Sequence, residues 1–301
     1  MTLPSWLVET ITAAGLGPAY VERFAQATLE EDLLGGVDIT SVATVPSDHY
    51  GVADIVARAS GVIAGLPIAA AVFVAADADV EIVMHAFDGD PLSVGDVAMT
   101  VSGRTRALLT GERSALNIAC HLSGVASQTR RWVDALAGTK ARVLDTRKTT
   151  PGLRVLEKYA VRCGGGTGFR MGLSDAAMVK DNHVLAAGGV VAAYRAVREQ
   201  FPDVRVEVEC DRVAQVAEVI AAGADLILLD NMSLEELREA VRITAGRAEL
   251  EASGGLTLER ARAVAETGVD FLSVGALTHS APVLDLAFDL RPAASSRTGS
   301  D

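Results

Sequence analysis

Four cations stand close together in the middle of this chain. Arg147, Lys148, Arg170 and Lys180 lie within the stretch DTRKTTPGLRVLEKYAVRCGGGTGFRMGLSDAAMVKDNH, from Asp145 to His183. Guanidinium and ammonium groups at this spacing suit a compact ligand with several negative charges, since Arg offers a planar fork and Lys a point charge. The chain as a whole is acidic, with a formal net charge of -12, so these cations serve a local pocket and not a basic surface. Two carboxylates follow, Glu209 and Asp230. They are hard oxygen ligands suited to Mg2+, which takes one or two carboxylates together with phosphate oxygens. Two glycine turns come last: Ser253-Gly254-Gly255, and Gly275-Ala276 with His279 behind it. The backbone N–H groups of such turns can cradle a phosphate at a helix N-terminus.

All of these groups except Arg170 stand just past a short apolar run, and that pattern says what must position them. Arg142–Leu144, Ala176–Val179, Val204–Val208, Leu226–Leu229, Glu249–Ala252 and Phe271–Val274 read as strands. Helical segments follow most of them: Leu153–Arg162, Ala187–Phe201, Val213–Ala222, Leu234–Ala245 and Leu258–Thr267. Ser233 and Glu236 form a capping box that opens one of these helices. Alternating β and α at this rhythm implies a parallel sheet, and short, evenly spaced strands favour a (β/α) barrel, with a doubly wound open sheet as the alternative. In such a barrel the C-terminal strand ends carry the active site. The residues just past the runs then share one rim: cations first, carboxylates next, glycine turns at the end.

Upstream, residues 1–35 have helical periodicity, and residues 52–103 change to short β-like runs around an alanine-rich helix, Pro67 to Ala76. The chain therefore divides into an N-terminal α+β, sandwich-like domain over 1–113, joined by residues 285–301, and a barrel domain over 114–284. Several classes drop out. No apolar run reaches membrane-spanning length, and no secretory signal is evident at the N-terminus. The three cysteines, Cys120, Cys163 and Cys210, lack a CxxC pair, which fits reduced thiols in the cytoplasm. An acidic balance and 4% aromatic content argue against nucleic-acid binding. The run Gly164 to Gly168 lacks GxGxxG spacing. The GDPLSVGD hairpin is like that of lipoyl or biotinyl carriers, yet no lysine precedes Lys140 to hold the cofactor. His49, His85 and His121 read as isolated packing or surface histidines.

The segments TRKTTPGLRVLEKYAVRCGGG, LSDAAMVKDNH, VEVEC, LILLDN, EASGG and SVGALTHS, with TRALLTGERSALN upstream, resemble quinolinate phosphoribosyltransferase. The similarity runs from about Glu30 to about Leu290. It implies a two-domain homodimer with an open α/β barrel, Mg2+, and 5-phosphoribosyl 1-pyrophosphate as co-substrate. It further implies that Arg106 reaches a pyridine dicarboxylate from the neighbouring subunit, while Arg147, Arg170 and Lys180 complete the carboxylate pocket. On the same resemblance Lys148 meets the pyrophosphate side of the sugar donor, and Glu209 and Asp230 face the ribose hydroxyls and Mg2+. Ser253, Gly254, Gly255 and Gly275 hold the 5-phosphate, with His279 beside them.

One place departs from the family. Where its members read GGGxNHR, this chain has Gly166-Thr167-Gly168-Phe169-Arg170. A phenyl ring at 169 cannot donate the hydrogen bond that the family's histidine gives a substrate carboxylate, so Phe169 is expected to form an apolar wall of a weakened pocket. Two alternatives follow: transfer of phosphoribose to another aromatic acid, or non-catalytic binding of phosphoribosyl pyrophosphate or a dicarboxylate.

Overall fold

Pro18 stops the first helix from running on, because a proline is tolerated only in the first turn of a helix. α1 (Ser5–Ala13) and α2 (Pro18–Leu33) are therefore separate. In this computed structural model, which describes residues 2–292, α3 (Ile39–Thr44), β1 (Tyr50–Ala57), β2 (Gly61–Val62) and α4 (Leu66–Ala76) come next. β3 (Glu81–Met84), β4 (Pro91–Leu92), β5 (Val97–Arg104) and the long α5 (Thr105–Ala135) follow. The alternating part comprises β6 (Arg142–Leu144), α6 (Arg154–Cys163), β7 (Ala177–Val179), α7 (Asp181–Ala187), α8 (Val190–Gln200) and β8 (Val206–Cys210). It continues with α9 (Val213–Ala221), β9 (Leu226–Asp230), α10 (Leu234–Thr244), β10 (Glu249–Ser253), α11 (Leu258–Ala265), β11 (Phe271–Ser273), α12 (Ala276–His279) and finally β12 (Leu286–Pro292).

Two compact units result. Of the described residues, the first takes 2–127, Val155–Gly164 and 281–292; the second takes Gln128–Arg154 and Gly165–Ser280. The boundary expected at 113/114 falls inside α5, and the chain changes units further along that same helix. Of the 285–301 segment expected to join the first domain, β12 pairs antiparallel with β1, and residues 293–301 lie outside the described residues.

The first unit has an antiparallel sheet in the order β12-β1-β5-β3. α4 is buried from Leu66 to Val74 on all sides, as a helix apolar all round must be. Phe73 stacks on Phe288 of β12 with ring centroids 5.7 Å apart. The Asp88 carboxyl group accepts from the Gly65 and Leu66 N–H groups at 2.6 and 3.0 Å, which satisfies two of the free donors at the start of α4.

The second unit is a six-stranded parallel sheet in the order β6-β11-β10-β9-β8-β7. It curls. Leu144 on β6 and Leu226 on β9 are three strands apart, about 14 Å in a flat sheet, yet they belong to one buried cluster with Phe271. The ladder is open between β6 and β7, where the bridge Leu144–Thr167 is made. This is an open (β/α) barrel. The sequence reading had the six strands in place, but it ran one helix from Ala187 to Phe201. Instead α7 begins at Asp181 and Gly188-Gly189 separates it from α8.

Gly124 on α5 is a point of close approach in the first unit. A Cβ there would overlap the Pro282 carbonyl oxygen and come within 2.9 Å of Val283 Cα, backbone atoms that cannot step aside. Gly to Ala inside a helix ordinarily stabilises by about 1 kcal/mol. Gly124→Ala is instead expected to destabilise by about 1–3 kcal/mol, the range for overpacking, measured as a fall in the denaturant midpoint. A raised midpoint would contradict the close approach.

Candidate active site

The expected groups fall on the C-terminal ends of the parallel strands, in three clusters. The first joins the loop after β6 to that after β11. A Cβ added at Gly275 would stand 2.8 Å from Lys148 Cδ and 3.2 Å from His279 Nε2, so the lysine stem lies across the glycine. Thr278 Oγ1 donates to the Lys148 carbonyl at 2.6 Å and fixes that loop. His279 shares a hydrogen bond with Ser280 Oγ through Nδ1 at 2.7 Å.

The second cluster joins β7 to β8. Lys180 Nζ lies 3.3 Å from Glu209 Oε2, with the carboxylate 13% exposed and the lysine 49%. The backbone N–H of Lys180 donates to His183 Nδ1 at 2.9 Å, so this histidine caps α7. The third joins β9 to β10, where Asp230 pairs in register with Ser253. Asn231 Nδ2 donates to Asp230 Oδ2 at 2.8 Å. Gly254 and Gly255 both take left-handed backbone, at φ 84° and 58°, a region open to glycine at no steric cost. A cavity of about 270 Å3 lies beside this turn, lined by Asn231, Ser233, Ser253, Gly254, Gly255 and Arg260 among others.

Arg147 and Arg170 stand near enough for their charges to oppose one another. Burial, then the Arg147 charge, lowers the Arg170 pKa. Arg170 Nη1 donates to the Ala176 carbonyl at 3.0 Å, while the Nε atoms of both arginines are buried without a hydrogen-bond partner. Half-buried Arg147 and buried Arg170 thus each keep an Nε–H donor for an acceptor, as suits a pocket for anions.

Two expected residues stand apart. Phe169 does not wall this pocket: its ring packs on Leu144, Leu226 and Phe271, with the Arg205 guanidinium 5.5 Å from its centroid. With Arg142 and Glu249 it lines a cavity of about 180 Å3 among residues that open the strands, the end opposite to the rim. The open ladder gives the ring a place in the core, and burial of an aromatic surface outweighs its exposure at a polar rim. Arg106 belongs to the first unit, where its Nε and Nη2 donate to the carbonyls of Val45 and Val42 at 2.7 and 3.0 Å.

Beneath the rim lies a feature that the sequence reading did not single out. Glu207 shares its strand face with Glu209, and Glu251 shares its face with Ser253, by the period of two. Both acids point into the barrel, at 0% and 2% exposure, in a layer where barrels ordinarily carry branched aliphatic side chains. Burial, then the Glu251 charge, pushes the Glu207 carboxyl up to about 10, and burial raises Glu251 as well. The alternation in VEVEC was the legible signal; which face looks inward was not.

Other chemistries find no support. Burial pushes the Cys163 and Cys210 thiols up to about 12, the reverse of a reactive thiolate. His49, His85 and His121 bond to Thr105, Thr100 and Glu157 at 2.8, 2.8 and 2.9 Å. No described helix is long and apolar enough to cross a membrane.

A parallel barrel whose rim carries cations, carboxylates and a glycine turn beside a cavity is an α/β fold with a polar site at its C-terminal strand ends. Comparison with known proteins narrows this class. The model of the quinolinate phosphoribosyl transferase N-terminal domain matches residues 38–123, and that of the C-terminal domain matches residues 125–289. The nicotinate-nucleotide pyrophosphorylase [carboxylating] of Mycobacterium leprae is 49% identical over 267 residues, 87% of this chain and 94% of the relative. A probable enzyme of the same name from Bacillus subtilis is 43% identical over 258 residues, 85% of this chain and 89% of that one. Among solved structures, NadC from Streptococcus pyogenes aligns with a TM-score of 0.89 at 41% identity, covering 93% of this chain and 99% of its own. The chain belongs to the quinolinate phosphoribosyltransferase family.

Two measurements test the site as described. Burial raises the native Glu207 pKa from the 4.5 of an unfolded glutamate to about 10. Between those values the native state binds more protons than the unfolded one, so this group makes stability fall as pH rises. Glu207→Gln is therefore expected to gain Tm relative to wild type at about pH 9 compared with about pH 5; an equal offset at both would show an ionised native Glu207. Phe169→His places a polar ring among apolar side chains, at a cost of about 1–3 kcal/mol, and is expected to lower Tm without tightening dicarboxylate binding. A tenfold gain in quinolinate affinity by calorimetry would instead put residue 169 at the carboxylate.

Proposed function

We propose that this chain transfers the phosphoribosyl group of 5-phosphoribosyl 1-pyrophosphate to the ring nitrogen of quinolinate, with loss of the C2 carboxylate. The products are nicotinate mononucleotide, pyrophosphate and CO2. The observation that carries the reading is the meeting, on one barrel rim of a chain in this family, of Lys148 with Gly275 and His279. The Lys180–Glu209 pair and the Asp230–Ser253 register complete that rim.

The chain's own groups supply mostly position and charge. Arg147, Arg170 and Lys180 hold the two carboxylates and aim the pyridine nitrogen at the anomeric carbon. The Ser253-Gly254-Gly255 turn and Gly275 hold the 5-phosphate. As the bond from C1 to the pyrophosphate oxygen breaks, Lys148 offsets the negative charge that grows on the leaving group, and the ring nitrogen forms the new bond to C1. The adjacent positively charged ring nitrogen then stabilises the electron pair that stays on C2 when CO2 departs, and that pair takes a proton from water. Glu209 and Asp230, hard oxygen ligands at the ends of two adjacent strands, would hold Mg2+ and leave room for phosphate oxygens. When bound, Mg2+ would neutralise pyrophosphate charge. We further propose a cytoplasmic homodimer in which Arg106 serves the partner's site. Support for this comes from the TRALLTGER resemblance and from three free cysteines.

Pyrophosphate and CO2 release, assayed with quinolinate beside a panel of other pyridine acids, tests the reaction. Equimolar release of both with quinolinate is expected; turnover of a monocarboxylate in preference would replace the acceptor. Lys148→Ala is expected to lower kcat by about a hundredfold or more, as loss of a charged transition-state contact does, while quinolinate binding changes little. A kcat within a few-fold of wild type would remove Lys148 from the leaving-group side. Mixing Arg106→Ala with Lys148→Ala chains is expected to restore part of the activity, because one hybrid site keeps both residues. No recovery after confirmed subunit exchange would overturn the shared site.

A further inference from the structure

Asn231 has no task in the reaction as drawn, yet its backbone is unusual. Three non-glycine residues among the described ones have positive φ: Leu34, Asn231 and Ala245. Leu34 and Ala245 end α2 and α10 as left-handed caps, a common device. Asn231, at φ 56°, ends no helix. It follows directly on the last residue of β9.

That conformation lets one residue meet three neighbours. Its backbone N–H donates to the Ser253 carbonyl at 2.9 Å. Its side-chain Nδ2 donates to Asp230 Oδ2 at 2.8 Å, an orientation set by the carboxylate, which can only accept. Its Oδ1 occupies the space that a Cβ of Gly254 would need, with Asn231 Cγ 2.6 Å and Asp230 Oδ1 2.9 Å from that position. The glycine at 254 is thus required twice over, by its φ of 84° and by the amide against it.

We infer that Asn231 is a positioning residue that locks the Asp230 carboxylate to the Ser253-Gly254 turn and so fixes the spacing between the ribose side and the phosphate side of the donor site. The inference rests on the phosphoribosyl reading and deepens it. A neutral amide suits this task. It orients one carboxylate oxygen by donating to it, and it leaves the negative charge and the other oxygen for a ribose hydroxyl or a cation. Lysine at 231 would neutralise Asp230, and aspartate would repel it. Asparagine is also among the few residues that enter the left-handed region readily.

The test separates backbone from side chain. Asn231→Gly keeps the left-handed backbone and removes the amide; Asn231→Asp keeps the size and reverses the interaction. Both are read by Tm, by steady-state kinetics, and by calorimetry with 5-phosphoribosyl 1-pyrophosphate and Mg2+, and separately with quinolinate. Asn231→Gly is expected to hold Tm near wild type while donor affinity and kcat/KM for the donor fall about ten- to a hundredfold, the worth of one hydrogen bond to a charged group. Quinolinate affinity stays within about twofold, since its proposed ligands lie on other strands. Asn231→Asp is expected to lose at least as much. Donor affinity within twofold of wild type in either variant overturns the inference, as does an equal loss for both ligands. Wild-type protein that binds the donor without turning over quinolinate would sink the proposed reaction, and the binding comparison would still decide the role of Asn231.

Discussion

A parallel ladder points every strand the same way, so whatever follows each strand arrives at one end of the sheet. The second unit of this chain depends on that constraint. Curling through β6-β11-β10-β9-β8-β7, the ladder turns six separate loop beginnings into one rim. Residues as distant in sequence as Lys148 and Gly275, or Asp230 and Gly254, become neighbours there. The opening between β6 and β7 gives the barrel its irregular side, crossed by the segment that carries Thr167, Phe169 and Arg170.

Charge in this barrel is arranged by depth. The rim holds cations and carboxylates that are partly exposed, as the Lys180–Glu209 pair is. One layer below, Glu207 and Glu251 are buried and their carboxyls are pushed toward the protonated form by desolvation. Arg170 is buried too, with the charges of both Arg147 and Glu207 acting on it. An interior of this kind sacrifices some stability, since aliphatic side chains would fill it at lower cost. It keeps polar groups beneath the polar rim.

The first unit works by different physics. α4 is buried on every side, and its start is held by the Asp88 carboxylate against the Gly65 and Leu66 N–H groups. Tyr159 OH donates to the same carboxylate at 2.6 Å, which ties α6 into this unit. Where the second unit spends polar groups on a site, the first spends them on fixing one apolar helix.

Sequence alone determined the strands and most helices of the barrel, because short apolar runs and apolar residues at helical spacing obey local rules. It also made the rim legible, since alternating strands and helices imply a parallel sheet and the residue after each parallel strand sits at one end. Tertiary structure decided what depends on direction and distance. Alternation in VEVEC put Glu207 and Glu209 on one face, but only the curl of the sheet made that face the inside. Phe169 has a chemical type that suits a pocket wall or a core equally; the space among Leu144, Leu226 and Phe271 settled which. Asn231 reads in sequence as one more polar residue after a strand. Its left-handed backbone, and the carboxylate and glycine it joins, exist only once β9 and β10 lie side by side.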